Sequence, residues 1–330
     1  MKKPNLVFHI IGYKEVGLGH IYRSLSLAKE LDEFDISFAC TKTSSEMAKL
    51  LIRNDYNLSI FQTETIFEDI ANLRPSLVIN DILYTEEKQI RQLKERNIKV
   101  INFEDLGRGS AFSDLTINEL YESPKKYEGN ILWGHNYFFL REEFLEKQPN
   151  QMKDKVSNVL ITYGGTDSNN LTKYTFDSIN DYCAQNGIFI FIVSGPGYQH
   201  YNQLKEDVKG RSNLHLTHST GVISEIMQKV QIAFTSNGRT VYELAHMNIP
   251  SIVISQHLRE AEHKFSSEKN GMINVGIYDQ LGTKSILQSE FKQMVEDRSY
   301  YKKLYNRTAK LNFSSNKSKV IEIIRSLINE

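Results

Sequence analysis

What most constrains this chain is an alternation that runs through it twice. Short runs rich in β-branched residues are followed, repeatedly, by segments with apolar positions at helical spacing. In the first half, NLVFHII (5–11), ISFAC (36–40), LSIF (58–61), SLVIND (76–81) and KVINFED (99–105) read as strands. Between them IYRSLSLAKELD (21–32), SSEMAKLLIRN (44–54), TIFEDIANL (65–73) and TEEKQIRQLKERN (85–97) read as helices. The segment EEFLEKQPNQMKDKVSN (142–158) breaks the pattern: it is polar, contains Pro149 and sustains no period. The alternation restarts at NVLITYGG (158–165) and runs through IFIFIVSG (188–195), NLHLTH (213–218) and IAFTS (232–236) to PSIVIS (250–255). That last run is expected to close a second sheet, with helices predicted near 170–186, 202–210, 222–230 and 240–248. Such alternation forms parallel sheets, because a parallel neighbour needs a crossover that a helix supplies. The expectation is an α/β protein of two doubly wound, Rossmann-like domains facing a cleft. They span 1–145 and 158–315, joined by a linker at 146–157 and followed by a C-terminal helix at 316–330.

A chain of 330 residues supports two such cores. Lys and Arg total 40, as do Asp and Glu, so the balanced charge points to no nucleic acid or anionic membrane as partner. Cys40 and Cys183 fall in different predicted domains, which argues against a disulfide framework and fits a reducing cytoplasm. The basic start leads to an apolar run of only about six residues, short of a signal peptide. No segment approaches the roughly 20 apolar residues of a membrane span. The reading is a soluble, cytoplasmic protein without stable membrane insertion.

In doubly wound sheets, ligands bind beyond the carboxyl ends of the strands, so chemistry is sought in the loops there. GLGHIYRSLSLAKEL (17–31) follows the first strand and opens a helix. Gly17 and Gly19 let backbone approach a ligand, and a helix start attracts anions. His20 fits two roles there: a neutral base, since the helix dipole disfavours imidazolium, or a packed histidine beside a structural turn. FTSNGRTVYELAHMNIPSIVIS (234–255) offers Ser236, Asn237, Gly238 and Thr240 as a pyrophosphate cradle. One turn further, Glu243 reads as a partner for a ribose diol or as a first-turn acid complementing the helix dipole. ITYGGTDSNNLT (161–172) adds Gly164, Gly165 and Thr166 in the equivalent loop of the second domain's first strand. Asp81 and Tyr84 lie where a sugar could be contacted, although a strand-end Asp also serves as a helix cap. The histidines show no metal-ligand spacing, and GxSxG, Walker and GxGxxG motifs are absent.

Several of these stretches occur in register with a known family. Gly17-x-Gly19-His20-x-x-Arg23 with its LSLAKEL, ISFAC (36–40), YFFLREEF (137–144), YGGTDSNNLT (163–172) and SNGRTVYELAHMNIPSIVI (236–254) together resemble the glycosyltransferase-B (GT-B) superfamily. More closely, they are similar to the UDP-2,4-diacetamido-2,4,6-trideoxy-β-L-altropyranose hydrolases of pseudaminic acid biosynthesis and their spore-coat-polysaccharide relatives. The last stretch, with Gln256-His257 beyond it, is also similar to the peptidoglycan N-acetylglucosaminyltransferase. The resemblance implies that His20 activates water against the anomeric carbon of a UDP-linked sugar, and that UDP leaves with inversion, with no metal or cofactor. It further implies that Glu243 binds ribose, Ser236–Thr240 the diphosphate and the backbone around Thr220–Val222 the uracil. Arg23 and Gln256 count among the substrate contacts, in a monomer or weak homodimer. A GT-B transferase with a carbohydrate or lipid acceptor is the alternative. The chain departs from the family in reading His9-Ile10-Ile11-Gly12-Tyr13-Lys14-Glu15 where an Arg-x-Asp just after the first strand is common, and in having Tyr242 where the hydrolases often have an Asn before the ribose glutamate.

Overall fold

The computed structural model describes residues 3–13, 16–122, 128–219, 221 and 223–329. The chain divides into two compact units, Met1–Phe139 with Ser315–Glu330, and Leu140–Ser314.

The first unit is built on seven strands: β1 (Asn5–Ile10), β2 (Asp35–Thr41), β3 (Asn57–Phe61), β4 (Leu77–Asp81), β5 (Lys99–Phe103), β6 (Leu115–Asn118) and β7 (Ile131–Trp133). They lie in the order β3-β2-β1-β4-β5-β6-β7, every pair parallel. Alternation along β1 sends Leu6, Phe8 and Ile10 to one face, where Ile21 and Leu27 of the Gly19–Ala28 helix pack. Val7 points to the other face, against Ile66, Phe67 and Ile70 of the Ile66–Asn72 helix and Ile90 and Leu93 of the Glu87–Lys94 helix. The Asn316–Asn329 helix returns to this unit, placing Val320, Ile321 and Ile324 in the first of these cores. β6 and β7 lie outside the predicted runs. At four and three residues they are too short to show a period, and β7 lies at one edge of the sheet.

The second unit has six strands: β8 (Asn158–Thr162), β9 (Phe189–Ser194), β10 (Leu214–His218), β11 (Ile232–Ser236), β12 (Ser251–Ser255) and β13 (Met272–Ile277), in the order β10-β9-β8-β11-β12-β13. This corrects one expectation: PSIVIS does not close the sheet, because β13 adds beside β12 with a register shift between Val253 and Ser255. MINVGI escapes a pattern search because only Met272 is buried and Gly276 interrupts it at φ +89°. The polar stretch read as a linker packs into this unit. Asn150 donates through Nδ2 to the Met227 and Val230 carbonyls, and Val156 joins the core.

Both sheets reverse strand order at one place, between β1 and β4 in the first unit and between β8 and β11 in the second. Loops on either side of such a reversal diverge and leave a crevice at the carboxyl ends. Most of the predicted site residues that the structure describes fall at these two points, while Gln256 follows β12.

Candidate active site

In the first unit the reversal pairs Ile10 with Asp81 across β1 and β4. The chain leaves β1 through Gly12, where a Cβ would come within 2.4 Å of Ile21 Cδ1, and turns at Gly17, whose φ of +86° favours glycine. That turn starts the Gly19–Ala28 helix directly above the end of β4. His20 Nδ1 lies 2.5 Å from Asp81 Oδ1. With Asp81 ionised, Nδ1 carries the hydrogen and donates it, so the ring's lone pair sits on Nε2. The His20 side chain keeps 12 % exposure, whereas Asp81 keeps 1 %. Solvent can reach the imidazole but not its carboxylate. The half charge of a helix start, which disfavours imidazolium, is therefore opposed by a full carboxylate in contact with the ring.

Two expected substrate contacts take other roles. Arg23, one turn along the helix from His20, is 1 % exposed, and its guanidinium is spent on buried acids. Nε and Nη2 donate to Asp81 at 2.8 and 2.5 Å, and Nη1 donates to Glu119 Oε1 at 2.7 Å. Glu104 Oε1 lies 3.6 Å from Nη1, and the Phe103 ring lies 5.0 Å from the guanidinium carbon. Glu104 sits at φ +56°, a left-handed conformation rare for a side chain of its size, which turns its carboxylate toward this cluster. Asp81 has no surface to offer a sugar, nor does it cap a helix: it accepts from His20, Arg23 and the Ser24 hydroxyl. Burial opposes its ionisation, but Arg23 and then His20 outweigh burial and hold the carboxyl well below the usual range. Burial likewise works against the Arg23 charge, and Asp81, then Glu104 and Tyr121, together more than restore it. Tyr84 stands 57 % exposed beyond the same strand.

An asparagine row anchors the strand ends beneath this cluster. His9 Nδ1 meets Asn80 Oδ1 at 3.1 Å, Asn80 donates to Asn102 Oδ1, and Asn102 donates to Asp105. The three acids of the Arg23 cluster, Asp81, Glu104 and Glu119, lie within INDI, INFED and INEL at the ends of β4, β5 and β6. Glu119 escapes the motif reading because β6 itself does; Glu104 ends the predicted KVINFED run, where nothing local marks it as a partner of Arg23.

In the second unit the loops after β8, β9, β11 and β12 lie at or beside the reversal. Gly164 (φ +75°) and Gly165 follow β8, and a Cβ on Gly195 would come within 2.4 Å of the Gly164 carbonyl and of Gly165 Cα. Thr166 is buried beneath this turn, and Asp167 accepts from the Leu171 and Thr172 N–H groups at the start of the Leu171–Gln185 helix. Gln256, after β12, reaches this loop, accepting from Asn169 Nδ2 at its carbonyl and donating through Nε2 to the Tyr163 carbonyl. After β11, Ser236 is buried, while Gly238 and Thr240 are half-exposed.

Asn237 clamps this loop to the one after β12. Its side chain donates to the Glu260 and His263 carbonyls and accepts from the Ser266 hydroxyl, and its own carbonyl lies 2.6 Å from His263 Nδ1. Glu260 is the residue the motif reading misses. Its buried carboxyl accepts from the Gln256 N–H at 2.7 Å, and the Asn237 N–H and Ser236 hydroxyl also bond to it. Burial pushes it up to about 7 against these donors. Two donors of the expected pyrophosphate cradle therefore already serve an acid of the chain itself. Glu243 is buried one turn into the Thr240–His246 helix and takes an ion pair from Arg141 Nε at 2.9 Å. Arg141 also pairs with Glu143, which accepts from the Ser224 N–H, so YFFLREEF supplies the cation that holds Glu243. Thr220 and Val222 lie outside the described residues.

Among the described residues no group of three or more His, Cys, Asp or Glu side chains is arranged to hold a metal ion, and no helix is long and apolar enough to cross a membrane.

The whole chain superposes on solved structures of low sequence identity. Acinetobacter baumannii MurG matches with a TM-score of 0.66 at 14 % identity, covering 98 % of this chain and 100 % of that one. The calicheamicin glycosyltransferase CalG4 matches at 0.65 and 13 %, covering 100 % and 99 %. The fold is that of the GT-B glycosyltransferases. The UDP co-structure of Staphylococcus aureus MnaA matches at 0.68 and 12 %, covering 100 % and 97 %. No family model matches the chain. By sequence it is similar to an uncharacterized Methanocaldococcus jannaschii protein, MJ1062 (28 % identity, 76 % of this chain and 55 % of that one). It is also similar to the Bacillus subtilis spore coat polysaccharide biosynthesis protein SpsG (24 %, 78 % of each chain). A third relative is the UDP-2,4-diacetamido-2,4,6-trideoxy-β-L-altropyranose hydrolase of Campylobacter jejuni (29 %, 51 % of this chain and 62 % of that one). The chain thus spans little more than half the length of the first and third of these relatives.

Proposed function

We propose that this chain is an enzyme acting on a nucleotide sugar in surface-polysaccharide or nonulosonic acid biosynthesis, and that it hydrolyses a UDP-linked 2,4-diacetamido-2,4,6-trideoxy sugar. The observation that carries the reading is the His20–Asp81 pair: a reachable imidazole whose Nδ1 is held by a buried carboxylate, at the strand-order reversal of a doubly wound sheet. A nucleotide-binding protein without turnover has no use for an oriented base there. In the reaction, Nε2 of His20 takes a proton from water as the water oxygen bonds to the anomeric carbon. The bond from that carbon to the phosphate oxygen breaks, its electron pair leaves with UDP, and attack opposite the leaving group inverts the centre. Asp81 steadies the imidazolium without taking the proton.

The nucleotide is assigned to the second unit. The Gly164–Gly165 turn, Gly238 and Thr240 offer backbone and hydroxyl donors to the diphosphate. Glu243, oriented by Arg141, accepts from the ribose diol. The similarity to the Campylobacter hydrolase supports the choice of substrate. A transferase moving the sugar to a carbohydrate or lipid hydroxyl is the second reading, favoured by the MurG and CalG4 likeness, and the same base would deprotonate that hydroxyl. Incubation with a panel of UDP- and CMP-sugars without acceptor tests the proposal. UDP and reducing sugar released in equal amounts support hydrolysis, and release that requires an added acceptor supports transfer.

A further inference from the structure

Asp81 Oδ1 is shared between two donors, the neutral His20 ring and the Arg23 guanidinium, since His20 Nδ1 and Arg23 Nη2 both approach it at 2.5 Å. The two donors lie 3.4 Å apart and meet at this oxygen instead of pairing with each other. A guanidinium with no other anion would concentrate its charge on Asp81 and leave little to balance a proton on His20. Arg23 has other anions: Nη1 is 2.7 Å from Glu119 and 3.6 Å from Glu104. We propose that Glu119 is a positioning residue for His20, acting through Arg23. By drawing the guanidinium charge to its own side, it leaves Asp81 the charge that steadies an imidazolium.

The charged and titratable groups on every side of the cluster agree with this role. The Gly19–Ala28 helix contributes His20 and Arg23, the end of β4 contributes Asp81, and the residues after β5 and β6 contribute Glu104, Glu119 and Tyr121. Three carboxyl groups thus share one permanent cation, and the second positive charge arrives only when His20 takes its proton. Glu119 is fully buried, and no contact between it and substrate enters the argument. The value of this coupling to catalysis rests on reading His20 as the base, but the coupling itself belongs to the ligand-free chain.

The test is an NMR titration of the His20 ring in the full-length, ligand-free protein, run beside pH profiles of UDP release. Glu119→Gln is expected to lower the His20 midpoint by about half a pH unit or more and to move the acid limb of kcat the same way, with KM little changed. Arg23→Gln is expected to raise the midpoint, an opposite sign that a purely structural role does not produce. Glu119→Asp, which keeps a charge but withdraws it by one methylene, moves the midpoint down by less and serves if the glutamine variant fails to fold. A midpoint unmoved in both Glu119 variants overturns the proposal. A midpoint that moves as expected in a protein that never releases UDP supports the coupling and removes the hydrolase reading instead.

Discussion

Asp81→Asn keeps the shape of the side chain and removes its charge, and the structure says how the replacement must sit. Asparagine has one acceptor oxygen, and Arg23, which can only donate, already directs Nε and Nη2 at this side chain from 2.8 and 2.5 Å. The amide oxygen turns to the guanidinium, and the amide nitrogen, a donor, faces His20 Nδ1. The imidazole then has to carry its lone pair on Nδ1 and its hydrogen on Nε2, the tautomer that cannot accept a proton from water. The same exchange in a Ser-His-Asp triad costs about 10⁴ in kcat for this reason, so a loss of roughly 10²–10⁴ is expected here. UDP affinity should stay near wild type. Stability falls as well, because breaking a buried ion pair costs about 3–5 kcal/mol, with the low end favoured since Glu119 and Glu104 still face Arg23. The pH dependence carries a signature. Asp81 is held well below the usual carboxylate range, so its contribution is complete above about pH 4 and disappears as pH falls through the depressed value. The variant lacks that acid loss. The assay is acceptor-free UDP release with kcat and KM separated, beside thermal unfolding from pH 2 to 7. Turnover within about threefold of wild type, in a variant whose ring has kept its hydrogen on Nδ1, would refute the reasoning.

Four further outcomes are expected. His20→Asn lowers kcat by about 10²–10⁴ while UDP titrations scarcely change; turnover within about threefold, with a lower melting temperature, makes His20 structural. Glu243→Ala removes the carboxylate that Arg141 orients and weakens UDP binding by about 1.5–3 kcal/mol in a calorimetric titration, and unchanged affinity removes Glu243 from the site. Activity survives EDTA; full loss restored by one divalent ion contradicts the assignment of the chemistry to His20 and Asp81 alone. Glu260, lifted by burial to about 7, favours its protonated form in the fold, so its penalty is absent below about pH 4.5 and complete above about pH 7. Denaturant titrations should therefore show wild type losing about 3 kcal/mol across that window relative to Glu260→Gln, and parallel curves would show that Glu260 is not so perturbed.

The two-sheet plan was legible because it is written in local chemistry. Buried parallel strands must be continuous apolar runs, crossovers must be amphipathic helices, and both periods survive in a linear reading. The candidate loops stood out for a related reason: glycines such as Gly17 and Gly164 and the chemistry of His20 and Glu243 are conspicuous after strands. Elements stabilised by neighbours left no such trace. β6, β7 and β13 are short or mostly exposed, and they are strands because an edge was there to pair with. Nor could the sequence assign roles within the clusters. Arg23 follows His20 by three residues and looks like a ligand contact. Only the packing of β4, β5 and β6 side by side shows that Asp81, Glu104 and Glu119, up to 96 positions from it, have already claimed its charge. Glu260 likewise reads as one more helical acid until the β12 loop folds it against Ser236 and Asn237. Residue type and spacing set what a side chain can do, whereas burial and long-range partners decide what it does. Those partners are distant in the chain, so their electrostatics exist only once the sheets have formed.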